Sequence, residues 1–361
     1  MKLVKVVPAL VVVGMLLTAC GGSGSTGVTL GKKIAFLLPD SQAARYANQD
    51  VPLFTAKLKS MCSDCTVDYR NANQDAATQL TQAQAALAGG ANVLVLDPVD
   101  GATASNIAAK AKARQVPVIA YDRLVLNTPA LAYFVSFDES AVPALQANGL
   151  LTALKDKANP TVVMINGDSG DAIAKALKLG AQNILGNKVN IAKAYDTPSS
   201  SAEGAQTEMA DALTALHDKV DAVYAVDDAT AGGASAALIT AGVKPFPPIT
   251  GDGAELTAVQ RILAGQQYMT VYRSIKAEAE TAAQLAYDLA YGVTVPASMT
   301  NGKTLNRTVD NGSTPVPALL ISPVAVTRQT IISTVIADRF WTRADLCTDQ
   351  YASACTAAGI S

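Results

Sequence analysis

The residues able to do chemistry in this chain are mostly carboxylates and arginines, and they recur directly after apolar runs. Asp40 and then Arg45-Tyr46 follow the run Lys33 to Leu38, Asp97 follows Ala91 to Leu96, and Asp122-Arg123 follow Val116 to Tyr121. Farther along, Asn166, Gly167 and Asp168 with Asp171 nearby hold the same kind of position, as do Asp196, Asp227-Asp228 and Asp252. Tyr272-Arg273 closes the series after Met269 to Val271. Carboxylates accept from hydroxyls, a guanidinium donates in a rigid fork, and an aromatic ring covers C–H bonds, so this set suits a neutral polyol. Each Asp taken alone has a plainer use, as the N-cap of the helix that follows its strand. Paired carboxylates would also serve a glycosidase, with Asp122 and either Asp227 or Asp252 as acid and base. Against catalysis stands the lack of a nucleophile elbow, a P-loop or a dinucleotide fingerprint. With one histidine, His217, the chain also argues against a Ser-His-Asp triad and a histidine metal site. The expectation is a binding protein, not an enzyme, with no cofactor and no metal.

The elements that must position these residues alternate regularly. Lys33 to Leu38, Thr66 to Tyr69, Ala91 to Leu96 and Val116 to Tyr121 read as strands, and the spacing predicts helices over Val51 to Met61, Gln74 to Ala88 and Gly101 to Ala113. After a break the rhythm returns, with strands at Thr161 to Ile165, Asn190 to Ala194, Ala222 to Ala225 and Pro248 to Thr250. Helices fill the gaps at Ala172 to Leu185, Ala202 to His217 and Thr230 to Ala241, where Gly232-Gly233 reads as close backbone packing. Alternation of this kind builds βαβ units, so the fold class is α/β with two consecutive parallel sheets. Ligands of such sheets sit beyond the carboxyl ends of the strands, where the polar residues fall. The length of 361 residues, half of them hydrophobic and only 5% aromatic, suits two domains cored by aliphatic side chains. A formal charge of −2 from 28 basic and 30 acidic residues offers no basic footprint for nucleic acid.

Both ends of the chain carry further signals. Lys2 and Lys5 precede the apolar run Val6 to Leu17 and the tetrapeptide Leu17-Thr18-Ala19-Cys20. The run is shorter than the ~20 residues of a spanning helix and reads as a secretory signal peptide over residues 1–19. The tetrapeptide resembles a bacterial lipobox, which implies a lipid on Cys20 at the outer face of the cell membrane. Residues 20–32, rich in glycine and serine, then form a flexible tether. Four cysteines remain, and an oxidising compartment makes Cys62–Cys65 and Cys347–Cys355 local disulfides. A redox pair is the alternative for Cys62 and Cys65, although it wants its first cysteine at a helix start and here the pair follows a helix.

Four motifs carry a resemblance: Ala120-Tyr121-Asp122-Arg123, Val135-Ser136-Phe137-Asp138, Asp228-Ala229-Thr230-Ala231-Gly232-Gly233 and Met269-Thr270-Val271-Tyr272. Together they resemble the type I periplasmic sugar-binding proteins of ABC importers, nearest to the D-xylose-binding members, from about Lys33 to about Arg339. The resemblance implies two Rossmann-like lobes joined by a three-strand hinge. One lobe would comprise residues 33–137 with 276–317, the other 138–275 with 318–345, and residues 346–361 would form a disulfide-closed tail. It implies that Arg45 donates to a sugar, that Tyr46 takes the place of a first-lobe aromatic, and that Asp122 and Arg123 are the ligand pair. Asp171, Asp227 and Asp252 would supply the second lobe's polar contacts, and Arg273 stands where relatives carry lysine. The implied ligand is a monosaccharide, a xylose-like pentose or related aldose, and the implied partner is an ABC permease with a cytoplasmic ATPase. Presentation of bound sugar to a membrane receptor uses the same fold and is the alternative. The relatives' Asp-Asn-Asn is here Asp171-Ala172-Ile173, their Trp is missing after Tyr195, and Gly-Gln-Asp-Ala is Gly251-Asp252-Gly253-Ala254. These departures leave the identity of the sugar open.

Overall fold

The computed structural model describes residues 31–40, 45–293, 295, 298–299, 303–304 and 307–360. The expected signal peptide and the lipid site at Cys20 lie outside the described residues. None of the described helices is long and apolar enough to cross a membrane.

The first sheet grows from β1 (Lys33–Leu38), β2 (Thr66–Asn71), β3 (Val93–Leu96), β4 (Val118–Tyr121) and β5 (Tyr133–Phe137). Two later strands, β12 (Arg307–Asp310) and β13 (Pro315–Ile321), return to it and give the order β12-β13-β5-β4-β3-β1-β2. All neighbours run parallel except β12 against β13. Central strands of a parallel sheet are buried on both faces, which is why β3 is apolar throughout and β1 is apolar from Ile34 onward. Ile34, Phe36 and Leu38 point into one core with α1 (Val51–Met61) and α9 (Ile275–Tyr291). Ala35 and Leu37 point into the other, with α2 (Ala76–Ala88) and α3 (Ser105–Ala113). A short hairpin, β10 (Ser298–Met299) with β11 (Lys303–Thr304), precedes β12.

The second sheet is built on β6 (Thr161–Asn166), β7 (Asn190–Asp196) and β8 (Ala222–Ala225), in the order β7-β6-β8 and all parallel. Helices α4 (Val142–Ala153) and α5 (Ala172–Leu185) cover one face, and α6 (Ala202–Leu216) and α7 (Asp228–Ala241) the other. The sequence reads Pro248 to Thr250 as a strand, but only a single bridge forms there, Val223 to Ile249. Pro247 and Pro248 bring no N–H, and the Thr250 hydroxyl bonds both the N–H and the carbonyl of Ala225. Beyond this stretch β9 (Met269–Tyr272) pairs antiparallel with β14 (Val324–Thr327). At Gly233 a Cβ would lie 2.1 Å from the Ala202 carbonyl oxygen, so glycine lets α6 and α7 approach as the sequence implies.

The chain passes between the sheets at Phe137 to Val142, Tyr272 to Ile275 and Ile321 to Val324. Residues 318–321, grouped with the second lobe on sequence, continue β13 alongside β5 in the first sheet. The tail carries α10 (Arg343–Leu346) and α11 (Ala352–Ala357), which pack on α8 (Leu256–Ala264) through Leu346, Cys355 and Ile360. Both disulfides are formed, Cys62–Cys65 at the end of α1 and Cys347–Cys355 across the tail.

Candidate ligand site

Strands β3 and β4 are neighbours, so Asp97 and Asp122 leave the first sheet side by side. Asp122 turns out of its strand with φ of 60°, a left-handed conformation that Asp tolerates better than most residues, and its carbonyl accepts from the Ser136 hydroxyl at 2.7 Å. Arg45 opens the wide turn Tyr46–Asp50 that leads into α1. Its Nε and Nη2 donate to Asp50 at 3.1 and 2.9 Å, Nη1 donates to Asp122 at 3.1 Å, and Nη2 also reaches Glu278 of α9 at 3.0 Å. Asp50 and Glu278 are fully buried, and Asp50 accepts as well from the Tyr121 hydroxyl. Tyr46 is buried too, with the Arg45 guanidinium 5.3 Å from its ring centroid and its hydroxyl donating to Asp97 at 2.9 Å. Arg123 is the least committed member of the group. Its side chain is 52% exposed, its Nε stands 3.7 Å from Asp97, and Nη1 makes one long bond of 3.4 Å to the Pro98 carbonyl.

The charges of this cluster do not balance, because Asp50, Asp97, Asp122 and Glu278 face only Arg45 and Arg123. Burial first, and the charge of Asp122 next, push Asp97 and Glu278 well above the usual carboxylate range. Burial also raises Asp122, against the pull of Arg45. The Arg45 guanidinium resists its own burial through the Asp50 hydrogen bond and the charges of Asp122, Asp50 and Glu278, and is held above its ordinary value. One oxygen of Asp97 and one of Glu278 are buried with no hydrogen-bond partner.

On the second sheet Arg273 forks twice, to Glu139 at 2.8 and 2.6 Å and to Asp252 at 2.6 and 3.1 Å. Glu139 stands in the first passage between the sheets and Arg273 in the second, so this pair ties two passages together. Glu139 also contributes to raising Asp122, which brings the two arginine clusters within electrostatic reach. Asp252 is raised chiefly by burial, with Arg273 opposing. Asp171 and Asp227 cap α5 and α7, accepting from the N–H groups of Ile173 and Thr230. Asp171 is exposed on its cap, and Ile173 beside it is 62% exposed. Asn166 ends β6 with its Nδ2 on the Tyr195 carbonyl at 2.7 Å and its Oδ1 buried without a partner.

Behind this edge Asp228 is buried and accepts from Glu255 N, Gln267 Nε2 and Thr270 Oγ1, each at 2.9 Å. Burial pushes it up to about 6 against those bonds. A Cβ at Gly251 would fall 2.1 Å from its Oδ1, which accounts for glycine just before Asp252. Trp341, the chain's only tryptophan, donates to the Ala254 carbonyl at 2.8 Å and so braces the same loop. Of the eight residues that the sequence offers as ligand contacts, the structure brings Arg45, Tyr46, Asp122 and Arg123 to one cluster and Asp252 with Arg273 to another, while Asp171 and Asp227 serve as helix caps. Sequence reasoning does not distinguish these uses. It misses Asp50, Glu139 and Glu278, which have no local signature because each becomes part of the site only through a partner distant in the chain.

Comparison with known proteins fits this geometry. A family model described as periplasmic binding protein domain matches residues 34–293. The D-xylose-binding periplasmic protein of Haemophilus influenzae is 35% identical over 316 residues, covering 86% of this chain and 91% of the relative. Its Escherichia coli counterpart is 33% identical, covering 92% and 98%. Among solved structures, an ABC transporter solute-binding protein from Clostridium phytofermentans with bound β-D-glucose superposes with a TM-score of 0.64 at 26% identity, covering 87% of this chain and all of that one. With its parallel sheets, its three passages and these matches, the chain belongs to the type I periplasmic sugar-binding protein family.

Proposed function

We propose that this protein captures a neutral monosaccharide, a xylose-like pentose or related aldose, between the strand ends of its two sheets. It then hands the sugar to an ABC permease driven by a cytoplasmic ATPase, from an extracytoplasmic position held by lipid on Cys20. The observation that carries the reading is Arg123, half exposed and loosely held beside the buried, partly unpartnered Asp97, with Arg45 and Asp122 adjoining. A guanidinium with donors to spare and carboxylates with lone pairs to spare match vicinal hydroxyls, which both donate and accept. Support also comes from the names of the relatives, two of them D-xylose-binding proteins.

The test is a melting experiment on the purified protein with pentoses, hexoses, purine nucleosides and amino acids. A cognate sugar at about a hundred times its Kd should add about 2.7 kcal/mol and raise the melting temperature by roughly 4 °C. A rise with a nucleoside or an amino acid and none with any sugar would overturn the assignment.

A further inference from the structure

We propose that Glu278 is a positioning residue of the ligand site, fixing the Arg45 guanidinium and linking it to the start of α9, where the chain passes from the second sheet to the first. This rests on the reading above that Arg45 presents a donor to the sugar.

Glu278 lies in the first turn of α9, on a face otherwise made of Ile275, Ala279, Ala282 and Leu285, and it is fully buried. A carboxyl group on such a face is costly unless it is paired, and its one hydrogen-bonding partner is Arg45. A guanidinium has five N–H donors. Asp50, Asp122 and Glu278 engage four of them, which leaves one on Nη1, beside Asp122. Glu278 thus occupies the Nη2 edge that Asp50 leaves open, and the remaining donor is confined to the side of the ligand pair.

The turn that carries Glu278 is itself held. Ser274 caps α9 through Ala277 N at 3.1 Å and donates to Asp338 at 2.6 Å, and Asp338 also accepts from the Tyr272 hydroxyl at 3.2 Å. Gln49, in the turn that follows Arg45, donates to the Arg339 carbonyl at 3.2 Å. Residues 338 and 339 therefore grip both the passage into α9 and the turn of Arg45, and the Glu278–Arg45 bond joins the two directly.

The groups facing Glu278 are Asp122, Arg45, Asp50, Asp97 and the Tyr121 hydroxyl. Burial and three carboxylates favour its protonated form, and Arg45 alone opposes. A proton fits Oε1, the oxygen without a partner, and leaves Oε2 to accept from Arg45. Because the folded state raises this group, its stabilising contribution is complete in acid below the ordinary glutamate range and is lost as pH rises through the folded value. Glu278→Gln stays neutral at every pH and keeps an acceptor for Arg45, so its melting temperature should gain on the wild type as pH rises.

The experiment is calorimetric titration of the full chain with D-xylose and D-glucose, for the wild type, Glu278→Gln, Glu278→Leu, Glu278→Asp and Arg45→Lys. Melting curves of the wild type and Glu278→Gln from about pH 5 to about pH 8 accompany it. Glu278→Gln should bind within about 3-fold of the wild type, whereas Glu278→Leu, Glu278→Asp and Arg45→Lys should each bind about 10-fold more weakly or worse. Glu278→Asp keeps the experiment decisive should the leucine variant fail to fold. Normal binding by the Leu or Asp variant beside a weak Arg45→Lys would overturn the role of Glu278 and leave the sugar site standing. A melting-temperature difference between Glu278→Gln and the wild type that does not change with pH would likewise overturn it. Normal binding by Arg45→Lys, or no binding of either sugar to the wild type, would instead overturn the reading of the site on which the proposal rests.

Discussion

Replacing Arg123 by alanine should weaken sugar binding by roughly 30- to 1000-fold, as expected for leaving sugar oxygens unpaired in a desolvated site at about 2–4 kcal/mol. The unliganded protein should melt within about 2 °C of the wild type, because exposed ion pairs contribute under about 1 kcal/mol. The asymmetry follows from the geometry. Arg123 is 52% exposed, its contact with Asp97 spans 3.7 Å, and its single hydrogen bond is a long one to the Pro98 carbonyl. Little of the fold depends on it, yet it leaves β4 next to Asp122 at the edge where ligands of parallel sheets gather. Titration calorimetry with a melting curve measures both quantities. Near-normal affinity with a markedly lower melting point would show that Arg123 is structural.

Arg45→Ala should behave in the opposite way and damage the unliganded fold. It removes the counter-charge of Asp50 and the hydrogen-bond donor to Glu278, both fully buried, and stranding a buried charge costs about 3–5 kcal/mol. In a chain of this size that amounts to a fall of roughly 4–7 °C in melting temperature. Because Arg45 opposes the rise of Glu278, the loss should be smaller in acid, where Glu278 is protonated with or without the arginine, and should grow as pH rises. Arg45→Lys, which restores the charge without the fork, should recover much of the stability but not the affinity. A melting point for Arg45→Ala within about 2 °C of the wild type at neutral pH would contradict the view that this arginine holds the cluster together.

The contrast between these two arginines shows what the sequence could reveal. Both follow apolar strands, and as letters they look alike. Their difference lies in partners that arrive from elsewhere: Glu278 is 233 residues from Arg45 in the chain. Glu278 lies in α9, a helix not among those read from the sequence, and its burial depends on that helix docking on the first sheet after crossing from the second. The aspartates were ambiguous for a similar reason. Asp171 and Asp227 cap helices while Asp122 and Asp252 pair with arginines, although in the sequence all four follow apolar runs. The sheets themselves were legible where both faces are covered, since β3, and β1 from Ile34 onward, then become unbroken apolar runs. The stretch 248–250 was not, because its prolines break the ladder despite apolar neighbours. The place of β13 beside β5 was hidden as well, since that pairing joins residues far apart in the chain and has no local pattern.

The central claim, that a sugar is held between the strand ends of the two sheets, is tested most directly by a crystal structure with D-xylose bound. The expected result is a sugar whose hydroxyls lie within hydrogen-bond distance, about 2.7–3.2 Å, of Arg123, Asp122 and the remaining Nη1 donor of Arg45. Sugar found instead in the cavity of about 370 Å³ lined by Phe246, Pro248, Tyr268 and Arg328, with none at Arg123, would contradict it.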